Sequence, residues 1–133
     1  MPRTPGPSVR AAVVDVACVV AFAAAGRSSH AEDGGVVGVL GTALPFLLAA
    51  AAGWVLARRQ HPVRPWPAGV VVWAVTWVGG IVLRALGGDG IAPPFVAVAG
   101  VVLAVLLIGW RAVATAVSLA WRRRQPAGSA RAR

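Results

Sequence analysis

Four long apolar stretches, separated by short polar breaks, constrain the fold of this 133-residue chain more than any other feature. A helix rises about 1.5 Å per residue, so about 20 apolar residues span the roughly 30 Å hydrocarbon core of a membrane. Lipid offers the backbone no hydrogen-bond partners, which favours helices for stretches of this length. We therefore predict an all-α bundle of four transmembrane helices over residues 11–121, with spans at approximately 11–29, 36–56, 68–86 and 94–114.

Composition leads to the same prediction. Hydrophobic residues make up 58% of the chain and charged residues 13%, whereas soluble domains carry about 25% charged residues. A chain of this length cannot bury so much apolar surface in a single aqueous core. The remaining apolar surface is therefore expected to face lipid.

The positions of the arginines predict the orientation in the membrane. The 13 basic residues are all Arg, and eleven of them lie in the N-terminal arm (1–10), in the loop 57–67 or from Arg111 onward. Arg27 and Arg84 belong to the other side. Cytoplasmic loops of membrane proteins are enriched in Lys and Arg. We therefore predict that both termini and the central loop face the cytoplasm, in a bacterial inner membrane.

The two ends of the chain are predicted to be irregular. Residues 1–10 are rich in Pro and Gly and indicate a flexible arm, and residues 122–133 indicate a disordered basic tail because they lack apolar periodicity. The net charge of +9 does not indicate nucleic-acid binding, because the arginines flank apolar segments and share no stripe with aromatic residues. Six arginines are instead candidates for binding anionic lipid: Arg58, Arg59, Arg64, Arg122, Arg123 and Arg124.

The first apolar stretch has a second interpretation. A basic flank, an apolar segment and small residues at its end also describe a cleaved signal peptide. Asp15 interrupts the apolar segment, however, and the chain that follows is again apolar enough to enter a membrane. We therefore predict a retained span, with cleavage as the alternative.

Three blocks of the sequence resemble a known family. They are DVACVVAFAAAGRSSHAE at 15–32, GVLGTALPFLLAAAAGW at 38–54, and the block from Pro67 to Arg111 that ends in GWR. These blocks look like the domain-of-unknown-function 3054 family, which consists of small multi-span membrane proteins, mostly from actinobacteria. The resemblance covers roughly residues 11–111 and implies a membrane location. It implies no activity and no site residue.

Asp15 is a candidate functional residue, because ionisable side chains inside a membrane are costly and usually face the bundle interior. Arg111 is its expected partner, because both residues lie at a similar depth counted from the same side. Three interpretations are open. Asp15 could be a proton- or substrate-coupled acid in a transport pathway, half of a structural ion pair between the first and fourth helices, or an acid favoured by the dipole at a helix N-terminus.

A second group of polar candidates lies at the predicted outer edge: Arg27, His30, Glu32, Asp33, Arg84 and Asp89. We expect the two arginines to extend toward lipid headgroups or to pair with the nearby acids, and anion binding is the alternative. A metal site formed by the histidine and its neighbouring acids is a weaker alternative, because one histidine beside two acids is a poor ligand pattern. We predict no metal and no cofactor.

Trp73 and Trp77, four residues apart, are predicted to share one face of the third helix. They could stack on a quinone or another aromatic ligand, but packing against a neighbouring helix or lipid is the favoured interpretation. Pairs of small residues four apart predict close helix contacts, and the pairs are Gly34/Gly38 and Ala49/Gly53.

Taken together, these features favour a small transporter or channel-like protein with Asp15 and Arg111 lining its inner half. Four helices enclose little aqueous path, so transport would require a homo-oligomer. The alternative is a non-catalytic scaffold or accessory subunit that binds lipid or a protein partner through its basic tail. A membrane enzyme is the third interpretation, because no catalytic arrangement is recognisable on one side of the membrane.

Overall fold

The structure, a computed structural model, describes residues 6–29 and 34–125, which contain helices and turns but no strand. The long helices in these ranges are α1 (Pro7–Ser29), α2 (Gly35–Ala57), α3 (Val70–Leu86) and α4 (Pro93–Arg124). Four helical segments are long and apolar enough to cross a membrane, and the third of them, Pro65–Leu86, consists of α3 and the helical turn that precedes it. The predicted all-α architecture of four membrane helices is confirmed, as expected for a multi-pass membrane protein. The orientation in the membrane stays a prediction.

Glycine and proline set the ends of the helices. Gly35 begins α2 with a φ of +49°, a backbone conformation that is readily adopted only by glycine. The segment Pro65–Gly69 forms an irregular turn that leads into α3. After α3 the chain turns at Gly88, whose φ is +84°. Pro93 then occupies the first position of α4, where its missing N–H costs no hydrogen bond.

The contact between α2 and α3 is the most extensive in the bundle. A Cβ atom added to Gly53 would lie 3.2 Å from the Cα of Val72, and one added to Gly79 would lie 2.9 Å from the Cβ of Ala49. Small residues therefore let the two backbones approach closely, as is common between membrane helices. Ala49 and Gly53, one of the small-residue pairs in the sequence, lie at this contact.

The core is built around three phenylalanines from different helices. The rings of Phe22, Phe46 and Phe95 lie with centroids 5.1–6.5 Å apart, and the fully buried Leu103 and Leu107 extend the core along α4. In each helix only 22–28% of the apolar segment is buried inside the chain. Most of the apolar surface therefore points outward, where lipid can cover it.

Two helices extend beyond the spans expected from the sequence. α1 begins at Pro7, so part of the predicted arm is helical. α4 has 32 residues, a length of about 48 Å against a hydrocarbon core of roughly 30 Å. From Ala112 to Gln125 no side chain is buried, so the end of α4 protrudes from the bundle. Arg122–Arg124, which were expected in a disordered tail, are helical and belong to α4. The rest of the predicted arm (1–5) and of the predicted tail (126–133) lies outside the described residues.

Candidate functional site

Asp15 on α1 and Arg111 on α4 form a buried ion pair. Arg111 Nη1 donates to Asp15 Oδ1 and Arg111 Nη2 donates to Asp15 Oδ2, both at 2.7 Å. The side chain of Asp15 is 1% exposed, and that of Arg111 is 0% exposed. This two-pronged geometry is the strong form of an arginine–carboxylate contact. The structure thus brings together the two intramembrane residues that the sequence singled out.

Two tryptophans complete the surroundings of the carboxylate. Trp54 Nε1 on α2 donates to Asp15 Oδ2 at 3.0 Å, and Trp110 Nε1 on α4 donates to Asp15 Oδ1 at 2.9 Å. Within the described ranges, each carboxylate oxygen therefore accepts two N–H groups. A carboxylate has about four acceptor positions, so all of them are filled. We call Asp15, Trp54, Trp110 and Arg111 the aspartate network.

The remaining contacts of Arg111 connect the network to the central loop. Its Nε donates to the carbonyl of Pro62 at 2.9 Å, and its Nη1 also donates to the carbonyl of Leu107 at 2.7 Å. The guanidinium lies 4.6 Å from the centre of the Trp110 ring, within range of a cation–π interaction. Gly69 leaves room for the side chain, because a Cβ there would lie 2.9 Å from Arg111 Cδ.

The aspartate network therefore joins α1, α2 and α4, and it contacts the segment between α2 and α3 at Pro62 and Gly69. Its charges are buried. Burying a single unpaired ion costs several kcal/mol, and the ion pair with its further hydrogen bonds offsets that cost. Removing one partner from such a pair typically costs about 3–5 kcal/mol. The arrangement is suited to fixing the relative positions of the helices.

The tryptophans of the network were not expected as partners of Asp15. The sequence places Trp54 and Trp110 near one membrane interface, where tryptophan is common as an anchor. The signal that could have identified them is the indole N–H, which usually finds an acceptor when buried. Both lie at a sequence depth similar to that of Asp15, the one acid inside an apolar stretch.

A small cavity of about 130 Å³ lies beside the network and is lined partly by Trp54, Gln60 and Arg111. The side-chain oxygen of Gln60 is buried and has no hydrogen-bond partner in the described part of the chain. Room for a few water molecules next to a buried polar atom is a usual place for ordered water. The cavity therefore borders the network at Trp54 and Arg111.

A larger cavity of about 660 Å³ lies at the opposite end of the bundle. We call it the arginine cavity, because Arg27 of α1 and Arg84 of α3 both line it. Arg27 Nη1 donates a long hydrogen bond of 3.4 Å to Thr42 Oγ1. Arg84 Nη1 lies 3.9 Å from Asp89 Oδ2, and the Arg84 guanidinium lies 5.1 Å from the centre of the Phe95 ring. His30, Glu32 and Asp33, the other outer-edge candidates, lie outside the described residues.

The Gly34/Gly38 pair has a different role from the helix contact that its spacing suggests. Cβ atoms added at these glycines would lie 2.5 Å and 2.6 Å from Arg27 Nη2. The bare backbone at the start of α2 therefore accommodates the guanidinium of Arg27. Substitution of either glycine would displace this side chain.

Trp73 and Trp77 stack on each other, with centroids 5.6 Å apart and an interplanar angle of 12°. Trp73 Nε1 donates to the carbonyl of Gly100, and Trp77 Nε1 donates to the carbonyl of Val96, both at 2.9 Å. The pair therefore packs on the backbone of α4 with its polar groups satisfied. This geometry agrees with the packing interpretation of the aromatic face.

The predicted lipid-binding arginines all lie on the surface. Arg58, Arg59 and Arg64 are exposed in the central loop, and Arg122–Arg124 are exposed at the end of α4. Cys18 is half-buried, with its Sγ atom 3.8 Å from the carbonyl of Leu106. In the described ranges there is no group of three or more His, Cys, Asp or Glu residues able to hold a metal ion.

Comparison with known proteins identifies the family. The model of the family described as protein of unknown function (DUF3054) matches residues 12–114, and the chain belongs to this family. The resemblance seen in the sequence is thereby confirmed. No curated protein and no solved structure matches the chain.

Proposed function

We propose that this member of the DUF3054 family is a non-catalytic scaffold or accessory subunit of the bacterial cytoplasmic membrane. In this proposal the aspartate network holds α1, α2, α4 and the loop before α3 in one arrangement and carries neither protons nor substrate. The main supporting observation is the saturation of Asp15, which accepts four N–H groups from within the described ranges.

An acid that couples transport to a proton must exchange that proton with water. The side chain of Asp15 is 1% exposed. All its hydrogen-bond donors within the described ranges are N–H groups, which match an ionised carboxylate because that group only accepts hydrogen bonds. Protonation would place an O–H group among these donors and would weaken the bidentate contact with Arg111. The network therefore favours the structural interpretation of Asp15 over the transport interpretation.

The protruding end of α4 supplies a surface on which a scaffold could act. It is continuous with the membrane helix and ends in the exposed Arg122–Arg124, beside Trp121, which is 69% exposed. Arginines near an anionic membrane surface contribute about 1 kcal/mol each to binding, and tryptophan is common at headgroup depth. We propose that this segment binds anionic lipid or a protein partner at the membrane surface.

Self-association also belongs to the proposal. Ala17, Ala21 and Ala25, spaced by four residues, lie on the exposed surface of α1. Small residues at this spacing allow a second helix to approach closely. We propose that a second copy of the chain packs on this exposed surface of α1.

Proton flux in proteoliposomes tests the function. We expect liposomes that contain the wild-type protein to collapse an imposed pH gradient no faster than empty liposomes. We expect the same of Asp15→Asn and of the control Asp89→Asn, an exposed acid at the other end of the bundle. Proton flux that is present in the wild type and in Asp89→Asn, but absent in a folded Asp15→Asn protein, would contradict the proposal and support transport.

Deletion of residues 122–133 tests the proposed binding surface. Membrane proteins cross-linked to the wild-type chain in cells should be lost from the shortened chain, while the amount of chain in the membrane stays the same. An unchanged set of cross-linked partners would argue against a role of the basic tail.

A further inference from the structure

The arginine cavity combines a large volume with two positively charged side chains. It is large, at about 660 Å³, a volume within the range of about 300–1,000 Å³ that is typical of small-molecule sites. It also places two guanidinium groups, Arg27 and Arg84, beside apolar walls. Of the described residues that line it, none is acidic.

Arg84 has hydrogen-bonding capacity that its neighbours do not use. Its Nε is buried and has no acceptor in the described part of the chain. Its nearest carboxylate there, Asp89, is 3.9 Å away, compared with 2.7 Å for the ion pair of Arg111. A buried N–H without an acceptor is unfavourable, so an anion in the cavity would satisfy a donor that the described residues leave unpaired.

The hydroxyl group of Thr42 adds a further polar group to the same wall. It accepts the 3.4 Å hydrogen bond from Arg27. A hydroxyl group that accepts one hydrogen bond can still donate its own O–H to another acceptor. Guanidinium groups together with a hydroxyl form a donor set that fits the oxygens of a phosphate.

The apolar part of the lining indicates what carries the phosphate. Phe22, Phe95 and Val98 form walls on which a free, hydrated anion would find no hydrogen-bond partner. The rings of Phe22 and Phe95 lie 6.4 Å apart, and Val98 is 58% exposed on the outer surface of α4, where lipid is the expected neighbour. The same cavity therefore offers an anionic headgroup its donors and a hydrocarbon chain its contacts.

We infer that the arginine cavity binds one membrane lipid with an anionic phosphate headgroup. The phosphate is contacted by Arg27, Arg84 and Thr42, and the first part of the acyl chains lies along the apolar wall. This site is separate from the aspartate network and from the basic tail, so it does not depend on the proposed scaffold function.

Native mass spectrometry and thermal unfolding of the purified protein test this inference. The probes are phosphatidylglycerol, zwitterionic phosphatidylcholine and inorganic phosphate. The variants are Arg84→Gln and Arg27→Gln, which remove charge, and Val98→Trp, which fills the cavity from an exposed position without changing charge. Arg10→Gln is the matched control, because it removes an exposed arginine at the other end of the bundle that is not among the predicted lipid-binding arginines.

We expect phosphatidylglycerol to be retained as a single bound lipid and to raise the unfolding temperature, and phosphatidylcholine to do neither. Arg84→Gln and Arg27→Gln should each weaken retention about tenfold or more, as expected when hydrogen bonds to a charged group are lost. Val98→Trp should weaken it as well, and Arg10→Gln should behave as wild type.

Two results would overturn the inference. Equal lipid retention by wild type, Arg10→Gln and both cavity arginine variants would mean that Arg27 and Arg84 hold no lipid in the cavity. Full stabilisation by inorganic phosphate, with no lipid retained, would identify a site for a free anion. Because the single variants and Val98→Trp are assessed separately, misfolding of one of them leaves the test intact.

Discussion

A carboxylate inside a membrane helix is stable only when donors surround it. Asp15 meets this condition through side chains on α2 and α4, each positioned by its own helix. Each donor therefore contributes twice, because it forms a hydrogen bond and also fixes the position of its helix relative to α1. At the scale of single residues, the stability of the bundle should therefore depend on the uncharged indole N–H groups of Trp54 and Trp110 as well as on the charged Arg111.

Replacing a network tryptophan by phenylalanine tests this dependence. Trp54→Phe and Trp110→Phe should each lower the free energy of unfolding by about 1.5–3 kcal/mol, because each removes a hydrogen bond to a charged group. Trp66→Phe is the control, because Trp66 is 71% exposed. Thermal or denaturant unfolding in detergent measures the effect, and equal stability of all three variants would show that the indole N–H groups are unimportant.

The space reserved for Arg111 gives a second prediction at this scale. Gly69→Ala would place a Cβ 2.9 Å from Arg111 Cδ, and crowding of this kind typically costs about 1–3 kcal/mol. Gly109→Ala is the matched control, because a Cβ there meets no atom within 4 Å. The same unfolding measurement should show a loss for the first variant and none for the second.

At the scale of helices, close approach depends on where small residues lie. The ring of Phe46, fully buried on α2, occupies the space that a side chain at Gly80 of α3 would need. The Trp73–Trp77 stack packs α3 against α4 in a similar way, over the bare backbone of Gly100. Aromatic rings on one helix and glycine on the next thus set the helix spacing.

Gly80→Ala should therefore destabilise the bundle by about 1–3 kcal/mol or more, because the added Cβ would overlap the buried ring of Phe46. Gly41→Ala, on the exposed surface of α2 with no atom within 4 Å of the added Cβ, should be neutral or slightly stabilising, since alanine is the better helix former. Comparing the unfolding temperatures of the two variants separates a packing effect from a general effect of glycine. A similar loss for both would contradict the packing account.

At the scale of the whole molecule, the chain is a thin bundle with most of its apolar surface on the outside. The sequence predicts that the loop between α2 and α3 and both termini share the cytoplasmic side. Asp89 is exposed in the predicted outer turn, and Arg59 is exposed in the central loop. These positions allow the orientation to be measured.

Labelling of introduced cysteines measures that orientation. In a Cys18→Ala background, a membrane-impermeant maleimide should label Asp89→Cys in intact spheroplasts and should label Arg59→Cys only after permeabilisation. Labelling of Arg59→Cys alone in intact spheroplasts would show the reverse orientation, and equal labelling of both would contradict the four-span arrangement.

The number of helices and their approximate positions could be predicted from the sequence, because membrane thickness fixes the length of an apolar span. The ion pair between Asp15 and Arg111 could be anticipated from their similar depth and the cost of leaving either alone. The roles of Trp54 and Trp110 could not, because they depend on the rotation of each helix about its axis. The full length of α4 was anticipated only in part. A helix up to Trp121 agreed with the sequence, but Arg122–Arg124 were expected in a disordered tail, because apolar length marks what lipid requires and a helix can continue through the Arg residues beyond it.

A double-mutant cycle on Asp15 and Arg111 tests the central claim most directly, with unfolding followed in the same detergent for all four proteins. Asp15→Asn and Arg111→Gln should each cost about 3–5 kcal/mol, because each leaves a buried partner unpaired. The double variant should cost clearly less than the sum of the two. Additivity within about 0.5 kcal/mol, the value expected for independent sites, would show that the ion pair does not hold the bundle together.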